Sequence, residues 1–256
     1  MSDISPFLLW GVLAAPACAS FGMLAGDRWT PNAPLSKYLA DIAARPTACD
    51  GCAKPIAAPT LIPIFGWLFA RGRCQCRKMR LSPAYLIGEI LALIFFLACA
   101  HAYGARALYT LPAIAGAAAA LRSDLKCREV HELSYLLIAA GAVPYAATSF
   151  DWGTKLELAG AFAIAFLITN VYFLLRKRLP VIPYADLIIA AALLLFLNIN
   201  SAILFMGVLA LSVIAIAIAL KLTDHETNVD DPMTFIPMAP ALILAAAIAI
   251  PFACYL

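Results

Sequence analysis

Three acidic side chains fall inside or at the ends of strongly apolar stretches: Glu89, Asp124 and Asp186. An ionisable group in such a place is costly to keep, which makes each a candidate for function. Asp124 lies in Leu121-Arg-Ser-Asp-Leu-Lys-Cys-Arg-Glu-Val-His-Glu132, at an expected turn between two apolar runs, and Asp186 in Leu179-Pro-Val-Ile-Pro-Tyr-Ala-Asp-Leu187. Two aspartates brought together could share one proton and activate a water for attack on an amide. Plainer roles stay open for each. Asp124, flanked by Arg122 and Lys126, reads equally as a helix cap. Asp186, three residues after Pro183, suits the first turn of a helix, where the dipole favours a carboxylate. Glu89 reads as a single buried carboxyl bonded to Tyr85, one turn earlier on the same helix face. Periodicity alone does not bring residues 124 and 186 together.

A second constellation is built from sulfur. Cys49-Asp-Gly-Cys52 is followed, after 21 intervening residues, by Cys74-Gln-Cys76. Paired cysteine knuckles around a tetrahedral Zn²⁺ are a common staple for a segment too short to bury a core. The single-residue spacing of the second pair is tighter than usual, so reduced thiols and a redox-active pair remain alternatives to a structural zinc. Cys18, Cys99, Cys127 and Cys254 sit in or beside apolar runs and read as small packing residues.

The elements that must position these residues are long apolar helices. Runs of about 17 to 25 apolar residues can cross a hydrocarbon core of ~30 Å, and eight spans are expected near Ile4–Ala25, Pro83–Ala102, Ala107–Leu121, Leu133–Ser149, Leu156–Leu175, Tyr184–Leu197, Ala202–Leu220 and Phe235–Tyr255. The first lacks a basic lead-in, with Asp3 as its only early charge, and reads as a retained anchor instead of a signal peptide. Between the first two spans lies the one sizeable loop, Asp27–Ser82. The expected division is a first transmembrane helix (1–26), a cysteine-bearing unit (27–82) and a seven-helix remainder (83–256). Inside the loop, Leu61–Ala70 is apolar but too short to cross, and Pro63 and Gly66 suit a surface-lying or packed segment.

Composition supports an all-α polytopic membrane protein. The 256 residues are 64 % hydrophobic and 13 % charged, with a mean hydropathy of +0.90, far from the half-apolar, quarter-charged norm of soluble domains. Disorder is excluded on the same grounds. With the N-terminus outside, sixteen of the 18 Lys and Arg residues fall on the cytoplasmic side, leaving only Arg106 and Lys155 opposite. That bias sets the expected orientation, with both termini periplasmic and the cysteine unit and both aspartates cytoplasmic. The basic run Arg71 to Arg80 reads as an anchor meeting anionic headgroups. No nucleic-acid partner is expected.

In order and spacing, several segments resemble the type IV prepilin leader peptidases, aspartyl proteases of bacterial inner membranes. Ala19-Ser20-Phe21 followed by Arg28 is similar to the family's Gly-Ser-Phe-Leu-Asn segment and its Arg. The stretch from Cys49-x-x-Cys52 through Ile62-Pro63, Trp67-Leu68 and Arg71-Gly-Arg-Cys74 to Cys76 resembles its cysteine-bearing domain. Ser82-Pro-Ala-Tyr85 with Glu89, Asp124-Leu-Lys126 with Arg128 and Glu132, and Phe235-Ile-Pro-Met-Ala-Pro240 match further segments. The departures are Pro183-Tyr-Ala-Asp186 for the family's Gly-x-Gly-Asp, Val130-His131 for its Ile-Pro, and the absence of the Gly and the Asn of the Gly-Ser-Phe-Leu-Asn segment around Ser20.

The resemblance implies catalytic roles for Asp124 and Asp186, with Glu89, Lys126, Ser20 and Arg28 in support. It implies prepilin or pseudopilin precursors as substrates, cleaved behind a short basic leader at the cytoplasmic membrane face. It also implies methylation of the new N-terminus from S-adenosylmethionine, although no Gly-rich nucleotide loop is visible. The 221–232 loop holds Asp224, Glu226, Asp230 and Asp231 against one Lys and is expected to hold the basic leader; a solvated connector is the plainer reading. A small proton-coupled transporter and an inactive pilus-assembly homologue are the competing functions.

Overall fold

A computed structural model describes residues 6–31, 34–44, 47–49, 52, 54–74, 76, 80–127, 129–149, 151–175, 184–223 and 238–253. Ten α-helices and no strand occur among them: α1 (Pro6–Arg28), α2 (Leu35–Ala44), α3 (Phe65–Phe69), α4 (Pro83–Tyr103), α5 (Thr110–Cys127), α6 (Glu132–Ala147), α7 (Trp152–Leu175), α8 (Tyr184–Leu194), α9 (Ile199–Thr223) and α10 (Met238–Phe252). Two stretches, Leu8–Arg28 and Pro83–Cys127, are long and apolar enough to cross a bilayer.

Alanines are prominent in the core beside larger side chains such as Phe96, Phe196, Phe205 and Leu242, and many large apolar residues lie outside. Buried positions include Ala113, Ala115, Ala119 and Ala120 of α5 and Ala239, Ala241, Ala245, Ala246 and Ala249 of α10. Trp10, Leu13, Leu91, Ile94, Ile164, Ile203 and Leu211 are all exposed. In water that distribution would leave a large apolar surface uncovered; it is compatible with a protein whose outer surface meets lipid and whose helices associate through small residues.

Close approach is clearest between α1 and α5. A Cβ on Gly22 would lie 2.1 Å from the Ala115 carbonyl oxygen, and one on Gly26 would lie 2.7 Å from that of Ala119. Gly22 and Gly26 are four residues apart, so one face of α1 is bare backbone along this seam. Around it, α5 packs on α4, α6 and α10, α8 packs on α6, α7 and α10, and α9 packs on α10.

Cross-chain bonds define two ends of the bundle. At one end, Tyr103 donates to the Ile250 carbonyl, the Asn198 side chain to that of Ala253, and the buried Lys155 ammonium to that of Leu197 at 2.9 Å. The other end carries the C-termini of α1 and α5 and the N-termini of α4, α6 and α10, and it holds the candidate site.

Several elements differ from expectation. Helix α5 begins three residues later than Ala107, after a 3-10 turn over Gly104–Tyr109, and runs six residues past Leu121. Asp124 therefore sits within the last turns of a helix, not in a turn between two. Helix α8 stops at Leu194, where successive tight bonds from the N–H groups of Leu195, Phe196 and Leu197 take over. Helix α2 was not anticipated: it is a ten-residue helix opening after Pro34, too short and too polar to stand out among apolar runs. The expected packed segment is the 3-10 turn Ala58–Leu61 followed by α3.

Candidate active site

Asp124 is buried, 6 % exposed, near the C-terminal end of α5. Its Oδ2 accepts the backbone N–H of Ala239 at 3.1 Å. Ala239 lies in the first turn of α10, where N–H groups lack intrahelical partners, so the carboxyl caps a helix other than its own. The capping role open to Asp124 in the sequence is thus real, but directed across the bundle. Asp186 occupies the first turn of α8, 7 % exposed, as its distance from Pro183 suggested. It lies within electrostatic reach of Asp124. Helices α5 and α8 are linked through α6 and α10, on which both pack.

Asp27, at the end of α1, ties the neighbouring elements together. Its Oδ1 accepts the Arg122 Nε–H at 2.6 Å, and its Oδ2 accepts the Tyr85 hydroxyl at 2.8 Å. Its backbone oxygen accepts from the Lys126 ammonium at 2.5 Å, and the same ammonium reaches the Trp29 oxygen at 3.4 Å. A lysine on the trailing carbonyls of α1 is a favourable cap. Arg28 does the same for α2, donating to the carbonyls of Asp41 and Ile42 at 2.9 and 3.1 Å. Ser20 lies half-buried on α1.

Glu89 is buried, 6 % exposed, and does not pair with Tyr85, whose hydroxyl goes to Asp27. Its Oε2 instead accepts the backbone N–H of Ile64 at 2.5 Å. Ile64 has φ 63° and ψ −59° and sits in a three-residue turn closed by the Phe65 N–H on the Pro63 oxygen at 2.6 Å. A β-branched residue rarely holds such a backbone. Glu89 thus anchors a strained loop of the cysteine-bearing segment to α4.

The four loop cysteines converge. An antiparallel bridge between Ala48 and Pro55 presents Cys49 and Cys52, and one between Arg73 and Arg80 presents Cys74 and Cys76. All four sulfurs lie within 4.8 Å of one another, with Cys49 to Cys76 at 3.9 Å and Cys52 to Cys74 at 4.0 Å. Zn–S bonds of about 2.3 Å arranged tetrahedrally put sulfurs about 3.8 Å apart. The cluster therefore fits a metal ion and is compatible with Zn²⁺, while its S···S separations are far beyond a disulfide bond. The single-residue spacing of the second pair does not prevent this.

Three residues that the sequence reading passed over belong to this end of the bundle. Asp27 lies two residues past the expected first span, and a search for acids carried slightly beyond span edges would have found it. Tyr38 and His131 form a buried pair that no spacing rule links, being 93 residues apart. Asp224, Glu226, Asp230 and Asp231 lie outside the described residues, as does Pro183.

Residues 13–103 match the family described as bacterial peptidase A24 N-terminal domain. A curated relative, the prepilin leader peptidase/N-methyltransferase of Pectobacterium carotovorum subsp. carotovorum, is 34 % identical over 77 residues, a match that takes in 28 % of this chain and 28 % of that protein. No solved structure matches the chain. The matches bear out the resemblance to type IV prepilin peptidases drawn from the motifs. The family match ends at residue 103, before either aspartate.

Proposed function

We propose, from the kinship of residues 13–103 with that N-terminal peptidase domain, that the whole chain is a membrane-embedded aspartyl endopeptidase of type IV prepilins or pseudopilins. The observation that carries the reading is the burial of Asp124 and Asp186 at one end of the bundle, within reach of each other's charge. Two such carboxyls hold one proton between them. The ionised one takes a proton from water as the water attacks the peptide carbonyl, and the protonated one gives its proton to the developing oxyanion. On collapse the carboxyl that took the water's proton passes it to the leaving amine, while its partner takes a proton back from the diol.

The spans, the orientation and the division into a first helix, a cysteine-bearing unit and a helical remainder belong to the same proposal, as does residence in the bacterial inner membrane. Cys49, Cys52, Cys74 and Cys76 would hold a Zn²⁺ that supplies folding energy to the loop and takes no part in hydrolysis. Asp224, Glu226, Asp230 and Asp231 would draw the basic leader toward the site. Methyl transfer from S-adenosylmethionine rests on the relative's name, and transfer of a labelled methyl group to a processed pilin tests it separately.

The decisive experiment incubates purified, lipid-reconstituted protein with a prepilin and follows leader removal by gel shift. The Asp124→Asn and Asp186→Asn proteins, each shown to be folded by thermal unfolding, should lose activity by about 10³-fold or more. Cleavage at the unmodified rate by either one defeats the aspartyl reading. A wild-type protein that cleaves no prepilin but moves protons across vesicles favours the transporter instead.

A further inference from the structure

Asp124 shares the last turns of α5 with two cations, Arg122 and Lys126. In an α-helix, residues two apart point about 200° away from each other, while residues four apart share a face. Arg122 and Lys126 therefore project from one side of the helix and Asp124 from the opposite side. The first side meets Asp27 at both cations: Asp27 binds Arg122 through Oδ1 at 2.6 Å and Lys126 through its backbone oxygen at 2.5 Å, with the Trp29 oxygen a longer contact of the same ammonium at 3.4 Å. The second side presents Asp124 to Ala239.

We infer that Asp27 is a positioning residue for the reaction, fixing the rotation of the last turn of α5 and with it the direction of the Asp124 carboxyl. The inference rests on the proposed role of Asp124. Two attachment points on one face of a helix, one turn apart, resist rotation about its axis in a way that one cannot. Backbone contact of Gly22 and Gly26 with α5 prevents α1 from yielding, so Asp27 is a fixed post. Tyr85 holds the other carboxylate oxygen at 2.8 Å and ties the post to α4. Asp27 also pairs the charge of Arg122 at 2.6 Å. A misplacement on the order of 1 Å at a reacting group costs about 10²-fold in rate, so a modest rotation would register.

The test uses the full chain reconstituted in lipid. Prepilin cleavage is measured for Asp27→Asn, Arg122→Gln, the double variant and Asp27→Glu, with amide hydrogen exchange followed over residues 119–127. Asp27→Asn is expected to lower kcat about 10- to 100-fold with KM changed less than about two-fold, and to speed exchange in the last turn of α5. The double variant is expected to match the worse single variant instead of multiplying the two losses, because both changes break one contact. Asp27→Glu, which keeps the charge, should recover part of kcat. Unchanged kcat and exchange in Asp27→Asn, or losses that multiply in the double variant, overturn the inference while Asp124→Asn remains inactive. An Asp124→Asn protein that still cleaves overturns the reading of the site itself, and this inference with it.

Discussion

The Tyr38 hydroxyl lies 3.2 Å from Nε2 of His131, joining α2 to the N-terminus of α6. The one phenolic hydrogen goes to the Ala25 oxygen at 2.8 Å, so across this contact a hydrogen can come only from Nε2. Ser134 Oγ lies 3.0 Å from the same nitrogen. Nδ1 is left buried without a partner among the described residues, and Trp29 covers the ring at 5.1 Å between centroids. A second proton on this imidazole would be a charge buried beside no acceptor, and burial accordingly pushes its pKa down to about 4.

That depression makes stability depend on pH. An unfolded-state histidine titrates near 6.5, so between about 4 and 6.5 the unfolded chain binds a proton that the folded one refuses. The contribution of neutral His131 is complete above pH 6.5 and is lost as pH falls toward 4, at about 1 kcal/mol per pH unit. Thermal unfolding followed by tryptophan fluorescence should show Tm dropping between pH 7 and pH 4.5 more steeply in the unmodified protein than in His131→Gln. Parallel curves for the two proteins would remove this account.

The convergence of Cys49, Cys52, Cys74 and Cys76 within 4.8 Å predicts a metal content close to one zinc per chain after purification without chelator. Cys52→Ser or Cys74→Ser should bring that to less than about half, since a three-sulfur site binds far more weakly. The same changes should expose residues 47–81 to protease. Metal content that does not respond to either substitution would mean the sulfurs are simply reduced thiols.

What could be read beforehand follows from the range of each interaction. The sulfur site was legible because its ligands come in two close pairs, and each pair needs only a short turn to present it. The two aspartates stood out because apolar surroundings make a carboxyl conspicuous. Their partners did not: Ala239 meets Asp124 from 115 residues away, and Arg122 meets Asp27 from 95 away, separations at which no periodicity carries information. Glu89 shows the same limit from another side. Tyr85, one turn away, looked like its natural partner, yet the loop backbone at Ile64 took its place because Asp27 had claimed the tyrosine.

The seam between α1 and α5 predicts that small changes there are felt strongly. A Cβ on Gly22 would sit 2.1 Å from the Ala115 oxygen, a backbone atom that cannot move aside like a side chain. Gly22→Ala should therefore destabilise the protein by about 1–3 kcal/mol through overpacking, visible as a lower Tm in detergent. Gly153→Ala, where an added Cβ meets nothing within 4 Å, serves as the control and should leave Tm within about a degree. Equal Tm values for the two variants would show that the helices separate freely.

The Glu89–Ile64 contact sets a strained turn against the bond that restrains it. Holding Ile64 at φ 63° costs on the order of 1–3 kcal/mol, and removing the Glu89 carboxyl leaves a partly buried N–H without its acceptor, a similar loss. Glu89→Ala should then let the 61–70 loop leave α4, giving faster proteolysis at that loop and a lower Tm. Ile64→Gly should behave in the opposite sense, since glycine occupies positive φ without strain. Combined, the two changes should restore part of the Tm lost in Glu89→Ala, because the glycine loop no longer pulls against a missing anchor. If Ile64→Gly lowers Tm as much as Glu89→Ala does, the turn is not strained, and Glu89 acts through some contact other than the Ile64 amide.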